Sequence, residues 1–195
     1  MSGAGRPKNY DKDKVLYAAT NLFWEKGYES TSLEDLMRVM DLGKGSFYNS
    51  FGSKRDLFIE CVRYYDSKAI DHIADLLANS ERPIEEIKNI FRRCAESNKT
   101  AHFLGCFAGN IITELATIDP ELTNLAKAHL KKLEALFLYH IKNAQRTGDI
   151  QISENPVFLA RFLLNLWNGI NITRRIYPNK KELINMIELH LTILK

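Results

Sequence analysis

The segment from Thr31 to Phe58, TSLEDLMRVMDLGKGSFYNSFGSKRDLF, restricts what this chain can fold into more than any other. Leu33, Leu36, Met37 and Met40 recur at i, i+3, i+4 and i+7, which gives a short helix one apolar face. Thr31 and Glu34 have the spacing of a capping box, so that helix is expected to begin at residue 32. Asp41 is of a residue type that tolerates a left-handed turn, and Leu42 returns the chain toward the core. A second short helix is expected from Gly43 or Lys44 to residue 50, with Phe47 and Phe51 four apart on its inner side. Its outer side carries Lys44, Ser46, Tyr48 and Asn49, compact polar groups led by a cation. Such a helix suits the major groove of duplex DNA, where small polar side chains reach base edges and donors reach phosphates.

The rest of the chain reads as helix throughout, with no alternating strand pattern. Asp119-Pro120 and Asn155-Pro156 are helix starts, Pro83 stands at another, and Gly148 is a stop. Pro178 ends one helix and Asn179 with Glu182 caps the next. Nine helices are expected, at about 11–27, 32–40, 44–50, 53–79, 83–100, 103–118, 120–147, 156–177 and 179–194. The fold class is all-α, with a helix-turn-helix domain and N-terminal arm over 1–52 and a helical effector-sensing and dimerisation domain over 53–195. The helix from Ser53 is expected to be the stiff link between them.

GKGSFYNSFGSKRDLF resembles the end of the helix-turn-helix of TetR-family repressors, through Leu42, Lys44, Gly45, Ser46, Phe47, Tyr48, Phe51, Ser53, Lys54 and Leu57. Gly43 stands where a serine or threonine is common in that family, Asp41 replaces the usual turn glycine, and Met37 replaces a small residue. The resemblance implies a dimeric regulator of transcription, usually a repressor, whose partner is a palindromic duplex operator. The DNA-contacting set expected is Arg6, Thr31, Lys44, Ser46, Phe47, Tyr48, Asn49 and Lys54. Lys44, Tyr48 and Lys54 are assigned to phosphates and Ser46 or Asn49 to base edges. Arg6 lies in a Gly-Arg-Pro-Lys arm suited to a narrow minor groove, where negative potential is concentrated.

Composition enters as a limit. A net charge of +3 does not by itself indicate a nucleic-acid binder, but a reader of this kind needs only a basic stripe. No apolar run approaches the roughly 20 residues of a membrane span, and none follows Met1, so a cytoplasmic protein without a membrane partner is expected. Cys61, Cys94 and Cys106 fit reduced thiols and not a disulfide framework. There is no phosphate-cradling glycine loop, paired-histidine zinc motif or nucleophile elbow, so no enzyme and no cofactor are expected. His102 and Cys106, four apart, do not complete a metal site with Cys94 or His72 by spacing alone, and no metal is assigned.

Two stretches of the C-terminal half stand out. Gly105-Cys106-Phe107-Ala108-Gly109-Asn110 resembles a segment of a TetR branch in which some members sense electrophiles or oxidants through that cysteine. A thiol at a helix start is chemically apt, because free amides there lower its pKa. Cys106, Phe103, Phe107 and Trp167 are therefore the expected sensing group, the effector being an unidentified small molecule or electrophile. Residues 156–177 and 179–194 are apolar over much of their girth, as for helices covered on two sides. A second copy of the chain is the expected cover, with Phe162, Trp167, Ile187 and Leu191 at the interface of a homodimer. Two other classes compete with this reading: a helical small-molecule-binding protein or enzyme without DNA regulation, and a DNA-binding architectural protein with no effector.

Overall fold

A computed structural model describes residues 10–96, 104–177 and 179–195. Nine α-helices are present among them: α1 Lys12–Lys26, α2 Leu33–Val39, α3 Lys44–Phe51, α4 Lys54–Ala78, α5 Pro83–Glu96, α6 Phe107–Leu115, α7 Pro120–Thr147, α8 Pro156–Thr173 and α9 Lys180–Leu191. A 3-10 turn, Thr192–Leu194, follows α9. The chain divides into two compact units, Met1–Tyr65 and Asp66–Lys195. The division falls inside α4 and not at the 52/53 boundary expected from sequence. Leu57, Phe58, Cys61 and Val62, all buried, fix the first turns of α4 within the first unit.

In the first unit, Asp11 caps α1 by accepting from the amides of Asp13 and Lys14. Phe23 meets Phe58 edge-on with ring centroids 4.7 Å apart, and Tyr28 lies 4.7 Å from Phe58. The α2–α3 turn closes as a Schellman motif: the Leu42 amide donates to Met37 O at 3.0 Å and the Asp41 amide to Arg38 O at 3.3 Å. Asp41 takes the left-handed position with φ 52°, the one positive-φ residue other than glycine among those described. The cap of α2 is Ser32, whose hydroxyl accepts from the Asp35 amide. The Thr31–Glu34 capping box is thus corrected by one residue, because Thr31 Oγ1 is turned inward and donates to Gly27 O at 2.6 Å.

The second unit is built on one apolar cluster. Phe91 of α5, Phe137 and Ile141 of α7, Leu163 of α8 and Ile187 of α9 all contribute to it. Its helix starts follow the sequence: Asp119 caps α7 before Pro120, Asn155 caps α8 before Pro156, and Asn179 caps α9. Arg92 of α5 pairs with Glu85 of its own helix and with Glu188 of α9. Asp66 on α4 faces His129 and Lys132 of α7.

Two boundaries differ from expectation. The helix expected over 103–118 is here α6, beginning at Phe107, because Gly105 has φ +71° and Cys106 is extended at the cap position. The helix expected to reach 177 ends at Thr173, and residues 174–177 continue in tighter turns. Pro178 disfavours helical geometry at the residue before it, so the chain leaves α-helix ahead of that point.

Asp41→Gly relieves the strain of a side chain in the left-handed region and is expected to stabilise the protein by about 1 kcal/mol. Urea unfolding followed by circular dichroism checks this. An unchanged or lowered midpoint would mean that the carboxylate, not the backbone, governs this turn.

Candidate nucleic-acid interface and effector region

An eight-residue helix offers two faces, and α3 uses them for different purposes. Phe47 has no exposed surface and Phe51 is buried beside it, their rings 5.9 Å apart. Lys44, Gly45, Ser46, Tyr48 and Asn49 all lie exposed. Among the described residues, the side chains of Lys44, Ser46, Tyr48 and Asn49 make no hydrogen bond or ion pair within the chain. Tyr48 touches only the edge of Phe47, with centroids 5.4 Å apart.

The start of α3 is open in a second sense. Its cap residue is Gly43, which offers no side-chain bond to the first-turn amides. A Cβ added at Gly43 or Gly45 would meet nothing within 4 Å. The first turn therefore shows bare N–H groups, with no side chain in front of them. That is the arrangement in which a helix N-terminus accepts a phosphate.

Lys54, at the first position of α4, is held and not free. Its Nζ lies 4.5 Å from the centroid of the Tyr28 ring and donates to Glu29 O at 3.4 Å. Ser53 caps the same helix, accepting from the Asp56 amide at 3.1 Å and donating to Asp56 Oδ2 at 2.6 Å. A pre-set ammonium loses less rotamer freedom on meeting a phosphate than a free one does. Neither Tyr28 as a shelf under Lys54 nor Ser32 as the α2 cap follows from the motif spacing. The only sequence signal for Tyr28 is an aromatic three residues before Thr31.

Two residues of the expected DNA set are corrected. Thr31 is 1 % exposed with its hydroxyl spent on Gly27 O, and Phe47 is core; neither side chain faces solvent. Arg6 lies outside the described residues. Lys26 and Arg38, two further cations near α2, are committed to Asp35, which leaves Lys44 as the unpaired cation on α3.

In the second unit, Cys106 stands as the cap of α6, its Sγ accepting from the Gly109 amide at 3.4 Å. The expected lowering of its pKa does not occur. Burial pushes the thiol above its ordinary value and outweighs the Gly109 and Ala108 amides, the Trp167 indole and Arg174, which all act the other way. Burial also pushes Cys61 up to about 12 and Cys94 up to about 11. The turn that carries Cys106 is clamped by Arg175, whose Nη2 donates to Leu104 O at 2.7 Å and to Asn110 Oδ1 at 3.0 Å. A side chain at Gly105 would collide with that guanidinium. Phe107 is buried, while Trp167 is half-buried and stands edge-on to Phe91 at 6.1 Å. Phe103 lies outside the described residues. No group of three or more metal-ligating side chains occurs among those described.

The expected dimer residues divide. Ile187 is 1 % and Leu191 2 % exposed, both within the subunit's own core, so neither is available to a partner. Phe162 and Trp167 remain half-buried. Phe162 lines a groove between α8 and α9 with Asn165, Gly169, Met186 and His190. Along α8, Phe158, Phe162, Asn165, Gly169 and Ile172, with Ile176 just beyond, repeat at alternating steps of four and three. Apart from half-buried Phe162, all of these are exposed.

Residues 15–61 match the family model described as bacterial regulatory proteins, tetR family. Residues 83–188 match that of the tetracyclin repressor-like C-terminal domain. The chain is 31% identical over 175 residues to the HTH-type transcriptional repressor ComR of Escherichia coli, covering 88% of this chain and 82% of ComR. It is 27% identical over 192 residues to the HTH-type regulator YezE of Bacillus subtilis, covering 97% and 99%. Among solved structures, a cysteine mutant of the TetR-family regulator CifR, complexed with 26-base-pair operator DNA, aligns with a TM-score of 0.81. Its identity is 23%, over 97% of this chain and 100% of that one. Among the described residues no helix is long and apolar enough to cross a membrane.

Lys54→Ala is expected to weaken binding to all duplex sequences alike. It should flatten the slope of log K against log salt by about 0.9 for each half-site. A filter-binding series across salt concentrations measures it. A changed sequence preference at constant slope would assign Lys54 to base reading instead.

Proposed function

The chain belongs to the TetR family of bacterial regulators, and from that premise we propose that it is a repressor binding a near-palindromic operator as a homodimer. The observation that carries this is the outer face of α3, where four polar side chains and a bare first turn are left unused by the protein itself. Ser46 and Asn49 are proposed for base edges, Lys44, Tyr48 and Lys54 for phosphates, and the arm containing Arg6 for the adjacent minor groove. Two copies related by a two-fold axis read two half-sites about one helical turn apart or slightly more. Selection of bound sequences from random duplex DNA tests this; recovery of no inverted repeat would overturn it.

The homodimer is proposed through the exposed stripe of α8, not through Ile187 and Leu191. Apolar or small residues at alternating four- and three-residue steps make the seam along which two helices pack at a shallow angle. Gly169, in the middle of the stripe, would meet nothing within 4 Å if it carried a Cβ, so its own subunit does not require the missing side chain. A closely approaching second helix does.

For the effector half, a non-covalent ligand is the reading favoured, because burial of Cys106 withholds the thiolate at neutral pH. Modification of Cys106 is the second reading, supported by its cap position and by the Gly109 amide on its sulfur.

Two outcomes follow. Ile172→Glu, on a side chain 61 % exposed, is expected to leave a folded monomer by sedimentation and to abolish operator binding. Ile187→Glu should instead cost about 3–5 kcal/mol by burying an unpaired carboxylate, and should unfold the subunit. A dimeric Ile172→Glu would place the interface elsewhere. Cys106, with its pKa raised above 9.0, is expected to react with iodoacetamide about tenfold faster for each pH unit from 7 to 9. A rate already level at pH 7 would restore the thiol as trigger, and Cys106→Ser would then hold its operator through oxidant treatment.

A further inference from the structure

A cavity of about 670 Å³ opens in the second unit, between the last turns of α4, the first turns of α5 and the second half of α7. It is lined neither by the Cys106 turn nor by the α8 stripe. Its volume is that of sites which hold small organic molecules. Leu77, Ile84, Leu136, Ala144 and Leu194 give it an apolar interior.

Polar groups enter this cavity from α7 on one helical face. His140 and Asn143 are three apart and both half-buried, with Tyr139 exposed at the edge, its ring perpendicular to that of His140 at 5.0 Å. Among the described residues, none of these three side chains makes a hydrogen bond within the chain. An imidazole, an amide and a phenol on the wall of one apolar cavity leave both donors and acceptors unused.

The charges around the cavity are largely committed or balanced. Glu85 is paired with Arg92 and Lys88. Asp149 accepts the Thr147 hydroxyl at 2.6 Å. Glu81 and Arg82 are neighbours of opposite sign in the exposed α4–α5 turn. Burial lowers the pKa of His140, which keeps its ring neutral at pH 7. The half-buried polar groups of α7 are thus uncharged, and a charged occupant would lose water without gaining an opposite charge inside.

We propose that this cavity is a binding site for an uncharged amphipathic molecule, with an apolar or aromatic body and a hydroxyl or carbonyl group directed at His140 and Asn143. Binding is measured without DNA, so the proposal stands or falls apart from the operator reading.

The test uses the full chain and the uncharged dye N-phenyl-1-naphthylamine, whose fluorescence rises in apolar surroundings. Saturable binding of one dye per chain is expected. Its displacement is compared across a matched series: 2-naphthylmethanol, 2-naphthoate and 2-naphthylmethylamine. The alcohol is expected to compete about 10-fold better than either charged analogue. Asn143→Leu should reduce that advantage of the alcohol while leaving dye affinity nearly unchanged. Ala74→Trp, which fills the cavity from α4, should weaken dye binding about 10-fold or more, while Cys106→Ser leaves it unchanged. Should Ala74→Trp alter the far-ultraviolet circular dichroism, Asn143→Trp fills the same cavity from its half-buried wall. Dye binding that survives the folded filling variant, is lost with Cys106→Ser, or yields more readily to the acid or the amine overturns the proposal.

Discussion

The reading surface depends on the burial of Phe47 and Phe51. A helix of eight residues is far below the ~12–15 at which an isolated helix becomes even marginally stable in water. Nothing local holds α3 either, since its cap glycine supplies no bond. Its persistence therefore comes from the two phenylalanines on one side, backed by an aromatic core in which Phe23, Tyr28 and Phe58 meet at 4.7 to 6.2 Å. Because that side is wholly hydrophobic, the opposite side is released from any structural duty. Lys44, Ser46, Tyr48 and Asn49 need to serve nothing inside the protein, and they do not.

The sequence was most legible where the signal is local. Asp119-Pro120, Asn155-Pro156 and Gly148 act within one turn of where they stand, and the helices start or stop there as read. Thr31 and Ser32 show the limit of that reading. Two adjacent hydroxyl residues can both cap, and what assigns the role is which of them is drawn inward. Thr31 is held by Gly27 O at the end of α1, a contact made by the fold of the α1–α2 turn and invisible in a motif. Ile187 and Leu191 fail differently. Their periodicity states that one face of α9 is covered, but it cannot state by what. The cover is the subunit's own core, with the Arg92–Glu188 pair holding α9 against α5.

Cys106 sets two local effects against each other, and only one of them is written in the sequence. Its place before Phe107 and its neighbouring glycines foretell a cap and its amides, and the Gly109 amide does reach the sulfur. Burial acts in the opposite sense, because a thiolate with 4 % exposure has lost nearly all of its hydration. The fold decides the sign, through the packing of Trp167 and the clamp of Arg175 on the preceding turn. The Gly105 left-handed turn is part of that clamp: it brings the Leu104 carbonyl under the guanidinium and leaves no room for a side chain.

Glycine inside a helix costs roughly 0.5–1 kcal/mol relative to alanine, so each one calls for a compensating cause. Gly105 has such a cause in its own unit. Gly45, in the first turn of α3, and Gly169, in the interior of α8, have none: a methyl group at either would stand in open space. Neither adopts a positive φ, so backbone conformation does not explain them. What offsets the cost must then lie outside the chain, where something comes close enough that a Cβ would obstruct it. At Gly45 the surrounding groups are an ammonium and uncapped amides, which fit a phosphate backbone. At Gly169 they are the apolar positions Phe162, Ile172 and Met186, which fit a second helix of the same kind. The two glycines thus mark, from within one subunit, the two surfaces a dimeric operator-binding protein has to keep clear.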